Sequence, residues 1–268
     1  MFQHMTTGET SQAREGDAAA DFGFRQVPPA EKEKLVRAVF DSVAARYDVM
    51  NDLMSGGIHR FWKGTLVDWL HPRAGEVLLD VAGGTGDVAF RLRERLHPSS
   101  GGSAPGRVIV CDINESMLRV GRDRALDRGL LGGIEWVTGN AEALPLATSS
   151  VDSYSIAFGL RNVTHIDAAL AEARRVLKPG GRFACLEFSR VVDPGLARLY
   201  DIYSFSVLPA LGGIVAGDRD AYQYLVESIR RFPPQQELAD RMAAAGFERV
   251  RYRNLTGGVA ALHTAWRL

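Results

Sequence analysis

The stretch Val77-Leu78-Leu79-Asp80-Val81-Ala82-Gly83-Gly84-Thr85-Gly86-Asp87 decides the fold of this chain. Val77, Leu78, Leu79 and Val81 surround one acid, and the turn that follows is too glycine-rich to be strand or helix. The pattern predicts a buried strand ending in a tight loop, with a helix opening at about Asp87. Glycines there let the backbone take positive φ and let a ligand come close to the main chain. The helix N-terminus beyond adds unpaired N–H groups and a partial positive charge. Such a loop is of the nucleotide-binding type.

Outward from it, the pattern alternates. Residues 107–111, apolar after Arg107, predict a second buried strand with Asp112 at its end, a helix spans 115–128 and stops at Gly129, and a third strand covers 134–138. Gly139-Asn140-Ala141-Glu142 follows it. A fourth strand over 151–158 runs into Gly159-Leu160-Arg161-Asn162-Val163. Thr164 and Asp167 predict a capping box for a helix over 166–177. Gly180 is expected to end that helix, before a fifth strand over 182–188. Helices near 219–231 and 235–245 precede strands at 248–254 and 259–268. The expected fold is α/β, a doubly wound sheet of about seven mostly parallel strands with an antiparallel C-terminal strand.

Ahead of the glycine loop, Leu35, Val36, Val39, Phe40, Val43, Ala44 and Tyr47 recur at helical spacing, and a second helix carries Phe61, Trp62, Leu66 and Trp69 on one side. These predict an N-terminal helical cap over the loop. Residues 1–24 are polar and aperiodic, which predicts a mobile tail before one domain over 25–268.

Whole-chain numbers exclude some functions. Lys+Arg and Asp+Glu stand at 32 each, so no net field favours nucleic acid. Cys111 and Cys185 lie in apolar runs and are expected as reduced core residues. No signal-peptide pattern is present, and no apolar run reaches the ~18 residues of a membrane span. The expectation is a cytoplasmic protein with room for peripheral contact at the inner face of a membrane, and with no metal site.

Two ligand classes suit the loop. Gly84-Thr85-Gly86-Asp87-Val88-Ala89 fits the dinucleotide fingerprint. Asp80 and Asp87 oppose it, because carboxylates repel a pyrophosphate and favour a cationic ligand. The pattern D-x-A-G-G-T-G resembles the first motif of S-adenosylmethionine-dependent methyltransferases of the Rossmann-like class I, with Ala82 where many members have glycine. That cofactor carries an ammonium and a sulfonium, which an acid at the strand end attracts. The resemblance implies a cofactor site of Asp80, Gly84, Thr85, Gly86, Asp112, Asn140 and Ala141. In it Asp112 accepts from the ribose hydroxyls and the Asn140 segment grips adenine.

Further motifs narrow the likeness. Phe40-Asp41-Ser42-Val43-Ala44 with Tyr47-Asp48-Val49-Met50-Asn51, Ser55-Gly56-Gly57-Ile58-His59 and Trp62 resemble the N-terminal signature of the ubiquinone/menaquinone biosynthesis C-methyltransferases. Phe158 to Thr164, Leu186-Glu187-Phe188-Ser189, Tyr200 to Phe205 and Asn254 to Val259 are similar too. Ala157 departs from members that have a serine there. The resemblance implies methyl transfer to a ring carbon of a prenylated quinol, either a naphthoquinol, a benzoquinol or both.

Carbon methylation needs an electron-rich ring, so the site must favour the phenolate of a group that titrates near ~10. Arg161, at the carboxyl end of the fourth strand, is placed by ligand-binding habit to face the transferring methyl. It stays protonated, so it acts by stabilising the phenolate or polarising a water. Asn162, Tyr47 and His59 are its candidate neighbours. The bland alternatives are a salt bridge for Arg161, a helix end for Tyr47 and a core histidine for His59. The uncharged stretch 202–217 is an expected lid or shallow membrane contact. A methyltransferase for another small aromatic molecule, and a non-catalytic scaffold of a quinone-synthesis complex, stay open as alternatives. So does a homodimer.

Overall fold

The computed structural model describes residues 19–43, 52, 55–96, 106–203 and 219–268. A short antiparallel hairpin, β1 (Ala20–Phe22) and β2 (Arg25–Val27), leads into helix α1 (Pro29–Val43). Residues 19–24, expected within a mobile tail, are therefore partly paired. Ala20 and Val27 are buried, and the Phe22 ring stacks on Tyr224 at 4.3 Å between centroids. Helix α2 (His59–Leu70) buries Trp62, Leu66 and Leu70, one stripe at four-residue spacing, and ends where His71 turns left-handed.

Strand β3 (Val77–Val81), helix α3 (Asp87–Arg95), strand β4 (Arg107–Asp112), helix α4 (Glu115–Asp127) and strand β5 (Ile134–Thr138) then alternate. Strand β6 (Val151–Ala157), helix α5 (Ile166–Val176) and strand β7 (Leu177–Phe188) continue the alternation. Helices α6 (Pro194–Ile202), α7 (Arg219–Arg231) and α8 (Gln235–Ala244) precede β8 (Glu248–Leu255) and β9 (Ala260–Arg267). The large sheet has the order β5-β4-β3-β6-β7-β9-β8, parallel from β5 to β7, with β9 antiparallel to both β7 and β8.

Because side chains alternate across a strand, the sheet feeds two cores. Leu78, Val108, Val110 and Ala184 pack on one face with Trp62, Leu66 and Tyr222. Leu79, Ile109, Cys111 and Phe183 pack on the other with Leu170, Leu238 and Met242. Each buried side chain of that size contributes about 1.5–3 kcal/mol. Both cysteines are free and buried, and burial pushes the Cys111 thiol up to about 12.

Two local expectations are corrected. Helix α5 stops at Val176 rather than at Gly180. Pro179 cannot continue a helix and biases Lys178 toward extended backbone. The strand thus begins at once, with a bulge between the pairs Val151↔Leu177 and Ser153↔Arg182. Nor do Thr164 and Asp167 form a capping box. His165 is the N-cap and makes no side-chain cap bond. Glu142 serves instead: its Oε1 accepts from the Thr164 and His165 backbone N–H groups at 2.9 and 3.1 Å. Asp167 turns to Arg241 at 3.5 Å. Among the described residues no helix is long and apolar enough to cross a membrane.

Candidate active site

The strand order reverses direction between β3 and β6, and a cleft of about 820 Å³, open to solvent, lies beyond the carboxyl ends of the strands there. Val81 and Ala82 line it from β3, Asp112 from β4, Asn140 and Ala141 after β5, and Phe158 and Gly159 after β6. Helix α1 closes one side with Glu33, Val36, Arg37 and Phe40, as expected of a cap. Asn114 secures that wall: its Oδ1 caps α4 at Met117 N–H, and its Nδ2 donates to Asp41 Oδ1 at 2.9 Å.

The crevice is held open by unusual backbone. Ala82 and Phe158 both sit at positive φ, 49° and 57°, which costs a residue with a Cβ roughly 1–2 kcal/mol. Gly84 takes φ 53° beside Asp112, whose Oδ2 accepts its N–H at 2.8 Å. Gly86, at φ 84°, caps α3 against the Trp136 ring, so it shapes the loop from behind rather than lining the cleft.

A smaller adjoining cavity continues from the cleft at Ala82 and Gly84. Lys63, Asp80, Gly83, Thr85, Asp87 and Ala157 line it. Asp80 is buried, accepts the Ser155 hydroxyl at 2.7 Å on Oδ1, and leaves Oδ2 without a partner among the described residues. Burial pushes its pKa up to about 7, against the pull of Ser155 and Lys63. A buried carboxylate oxygen of this kind calls for a cation. Burial likewise raises Asp112 to about 6, despite backbone N–H donors at Asn114 and Gly84. The Thr85 hydroxyl is taken by Arg124 at 3.0 Å. Asn140 Oδ1 accepts the Glu142 N–H at 2.9 Å, which frees its amide nitrogen for a ligand.

Arg161 does not face the cleft as expected. Its Nη1 donates to Glu187 Oε2 at 3.0 Å and to the Phe158 carbonyl at 2.5 Å, with both charged side chains nearly closed to solvent. It lines a second cavity behind the loop, together with Lys32 and Arg231. Burial raises the Glu187 carboxyl, opposed by the Arg161 guanidinium. Asn162 does reach the cleft wall, and its Oδ1 accepts the Tyr224 hydroxyl at 3.0 Å. His59 is buried at the start of α2, with Nδ1 2.9 Å from Ser55 Oγ. Burial and the Lys63 ammonium push its pKa down to about 4, so it is neutral and lines none of the three cavities. Tyr47 lies outside the described residues.

The family profile described as the ubiE/COQ5 methyltransferase family matches residues 29–267. The chain belongs to that family. It is 59% identical over 248 residues to the ubiquinone/menaquinone biosynthesis C-methyltransferase UbiE of Paracoccus denitrificans, covering 92% of this chain and 96% of that one. The UbiE protein of Dinoroseobacter shibae is 54% identical over 252 residues, 94% and 98% of the two chains. In fold the chain is similar to a solved S-adenosylmethionine-dependent methyltransferase of Thermotoga maritima. The TM-score is 0.61 at 20% identity, over 87% of this chain and 100% of that one. A second, from Aquifex aeolicus, gives 0.54 at 17% identity, over 90% and 100%. The protein is a methyltransferase of the Rossmann-like class, and its cofactor is S-adenosylmethionine.

The site fits that cofactor. Among the described residues Asp80 Oδ2 lacks a partner, a Cβ on Gly83 would come within 2.9 Å of it, and one on Gly84 within 3.1 Å of Met117. Three pairings around the site escape a reading of the sequence: Lys63 with Asp87, Glu142 with Thr164 and Glu187 with Arg161. The partners lie 24, 22 and 26 residues apart, so no spacing rule announces them.

Proposed function

We propose that this S-adenosylmethionine-dependent C-methyltransferase of quinone biosynthesis methylates a ring carbon of a prenylated quinol. One observation carries the reading: a cleft at the sheet's switch point joins acid-bearing strand ends to an apolar wall of Val36, Phe40 and Phe158. The polar floor suits the cofactor, and the apolar wall suits a flat ring with an oily tail.

When bound, S-adenosylmethionine supplies an electrophilic methyl group. Asp80 would hold its ammonium and Asp112 the ribose hydroxyls. Asn140 would meet adenine as a donor through its amide nitrogen. Asn162 spends its oxygen on Tyr224 and so turns its amide nitrogen toward a phenolate oxygen, favouring the ionised ring. Arg161 is fixed behind it by Glu187 and the Phe158 carbonyl. Its charge is met by Glu187, so it holds the loop that carries Asn162, and it cannot serve as a base. Positioning the ring carbon at about 3–3.5 Å from the methyl does the rest.

The quinol would enter from the membrane, where such substrates partition. The segment 202–217 expected to dock there lies almost wholly outside the described residues. Exposed Arg198 and Arg231 would add roughly 1 kcal/mol each near anionic lipid. Salt-sensitive binding to anionic vesicles supports this contact, and its absence removes it.

Quinone profiling by mass spectrometry of a strain lacking the protein tests the function. Accumulation of a demethylated quinone, cleared by the wild-type gene and not by Asn162→Ala, is the expected result. Cofactor binding without turnover on any quinol would favour a scaffold instead.

A further inference from the structure

Lys63 is a buried cation on the cap helix α2, 5% exposed, and no step above uses it. Its Nζ donates to Asp87 Oδ2 at 2.9 Å. Asp87 is also bound by Arg91, 3.1 Å away on Oδ1. Burial alone would raise the Asp87 carboxyl, but these two cations hold it down to about 2. So two positive charges share one firm negative charge. The neighbouring acid, Asp80, is drawn toward its neutral form by burial. His59, one turn before Lys63, is neutral as well. The pocket shared by Lys63 and Asp80 thus sets one buried ammonium, already met by Asp87, beside an acid oxygen that has no partner among the described residues.

A ligand that offers both an anion and a cation balances such a pocket. The α-amino acid end of S-adenosylmethionine does so. We propose that Lys63 is a cofactor-positioning residue that holds the α-carboxylate while Asp80 holds the ammonium. This rests on the cofactor-site reading above. The cavity adjoins the cleft at Ala82 and Gly84, so one ligand reaches both. An ammonium has three donors, and Asp87 takes one of Lys63's. Asp87 is then a buttress that aims Lys63 from the first turn of α3. Since Lys63 comes from the cap and Asp80 from the sheet, the amino-acid end ties the two layers together.

Calorimetry of the full chain with three ligands tests this. The probes are S-adenosylhomocysteine, its decarboxylated analogue and 5′-methylthioadenosine, which lacks the whole amino-acid end. Wild type should bind S-adenosylhomocysteine at least about tenfold more tightly than the decarboxylated analogue, the scale of a hydrogen bond to a charged group. Lys63→Met should erase that difference, weakening S-adenosylhomocysteine and leaving the other two unchanged. If that variant does not fold, because Asp87 is stranded, Lys63→Met with Asp87→Asn removes both charges and should give the same ligand pattern. Equal losses on all three ligands, or wild-type indifference to the carboxylate, overturn the assignment. Failure of wild type to bind S-adenosylhomocysteine at all would instead overturn the cofactor site itself.

Discussion

Arg161 Nη1 stands 3.0 Å from Glu187 Oε2, and the two side chains are 2% and 1% exposed. The pair joins the loop after β6 to the end of β7. The Glu187 carboxylate also accepts the Arg161 backbone N–H at 3.2 Å and the Phe188 backbone N–H at 3.1 Å. Removing one member of such a pair leaves a buried charge with nothing to offset it, which costs about 3–5 kcal/mol. Glu187→Ala should lower stability by that amount in urea unfolding, and Glu187→Gln by less, because the amide still accepts a bond. Arg161→Ala should lose stability and turnover together. A stable Glu187→Ala variant would show that the pair is not structural.

Cofactor binding should depend on pH through Asp80. In the free protein burial holds this acid near 7, well above the usual carboxylate range. A raised acid pKa means that the folded state keeps its proton where the unfolded state has lost it. Stability from this group is therefore lost as pH rises from about 4 to about 7. An ammonium ligand needs the ionised form, so binding releases a proton and tightens with pH. Affinity for S-adenosylhomocysteine should rise about tenfold from about pH 6 to about pH 8. Calorimetry across that range checks it, and Asp80→Asn should flatten the profile.

Asp112→Ala should weaken S-adenosylhomocysteine binding by about 1.5–3 kcal/mol, since it removes acceptors for the ribose. It also frees the Gly84 and Asn114 N–H groups that Asp112 now holds. The loss should therefore sit at or above the upper end. NAD should show no binding in the same calorimeter. Tight NAD binding would return the loop to the dinucleotide reading.

Gly159→Ala probes the crevice by bulk alone. Gly159 has φ −115°, which alanine adopts freely. A Cβ there would come within 2.4 Å of the Ala82 Cβ across the gap between β3 and β6. Overpacking of this kind costs about 1–3 kcal/mol. Thermal unfolding should show the destabilisation, with weaker S-adenosylhomocysteine binding because the strand ends are pushed apart.

What the sequence by itself determined is what depends on neighbours along the chain. The run Val77–Val81 followed by Gly83, Gly84 and Gly86 announced a buried strand and a ligand loop, because hydrophobic burial and positive φ are set by residue type. The alternation of strands and helices then left the doubly wound sheet as the natural solution. Asp80, Asp112 and Asn140 were legible as candidates because each stands at or within two residues of the end of a strand run. The tertiary structure alone decided which charges meet. Arg161 reads as exposed loop chemistry until β7 brings Glu187 beside it, and Lys63 reads as one more helix lysine until α2 packs over Asp87. The Thr164–Asp167 capping box was a sound local pattern that lost to Glu142, a carboxylate folded in from another loop. Pairings of this kind follow from strand order and helix packing, and side chains twenty-odd residues apart carry no mark in the sequence of which partner they will find.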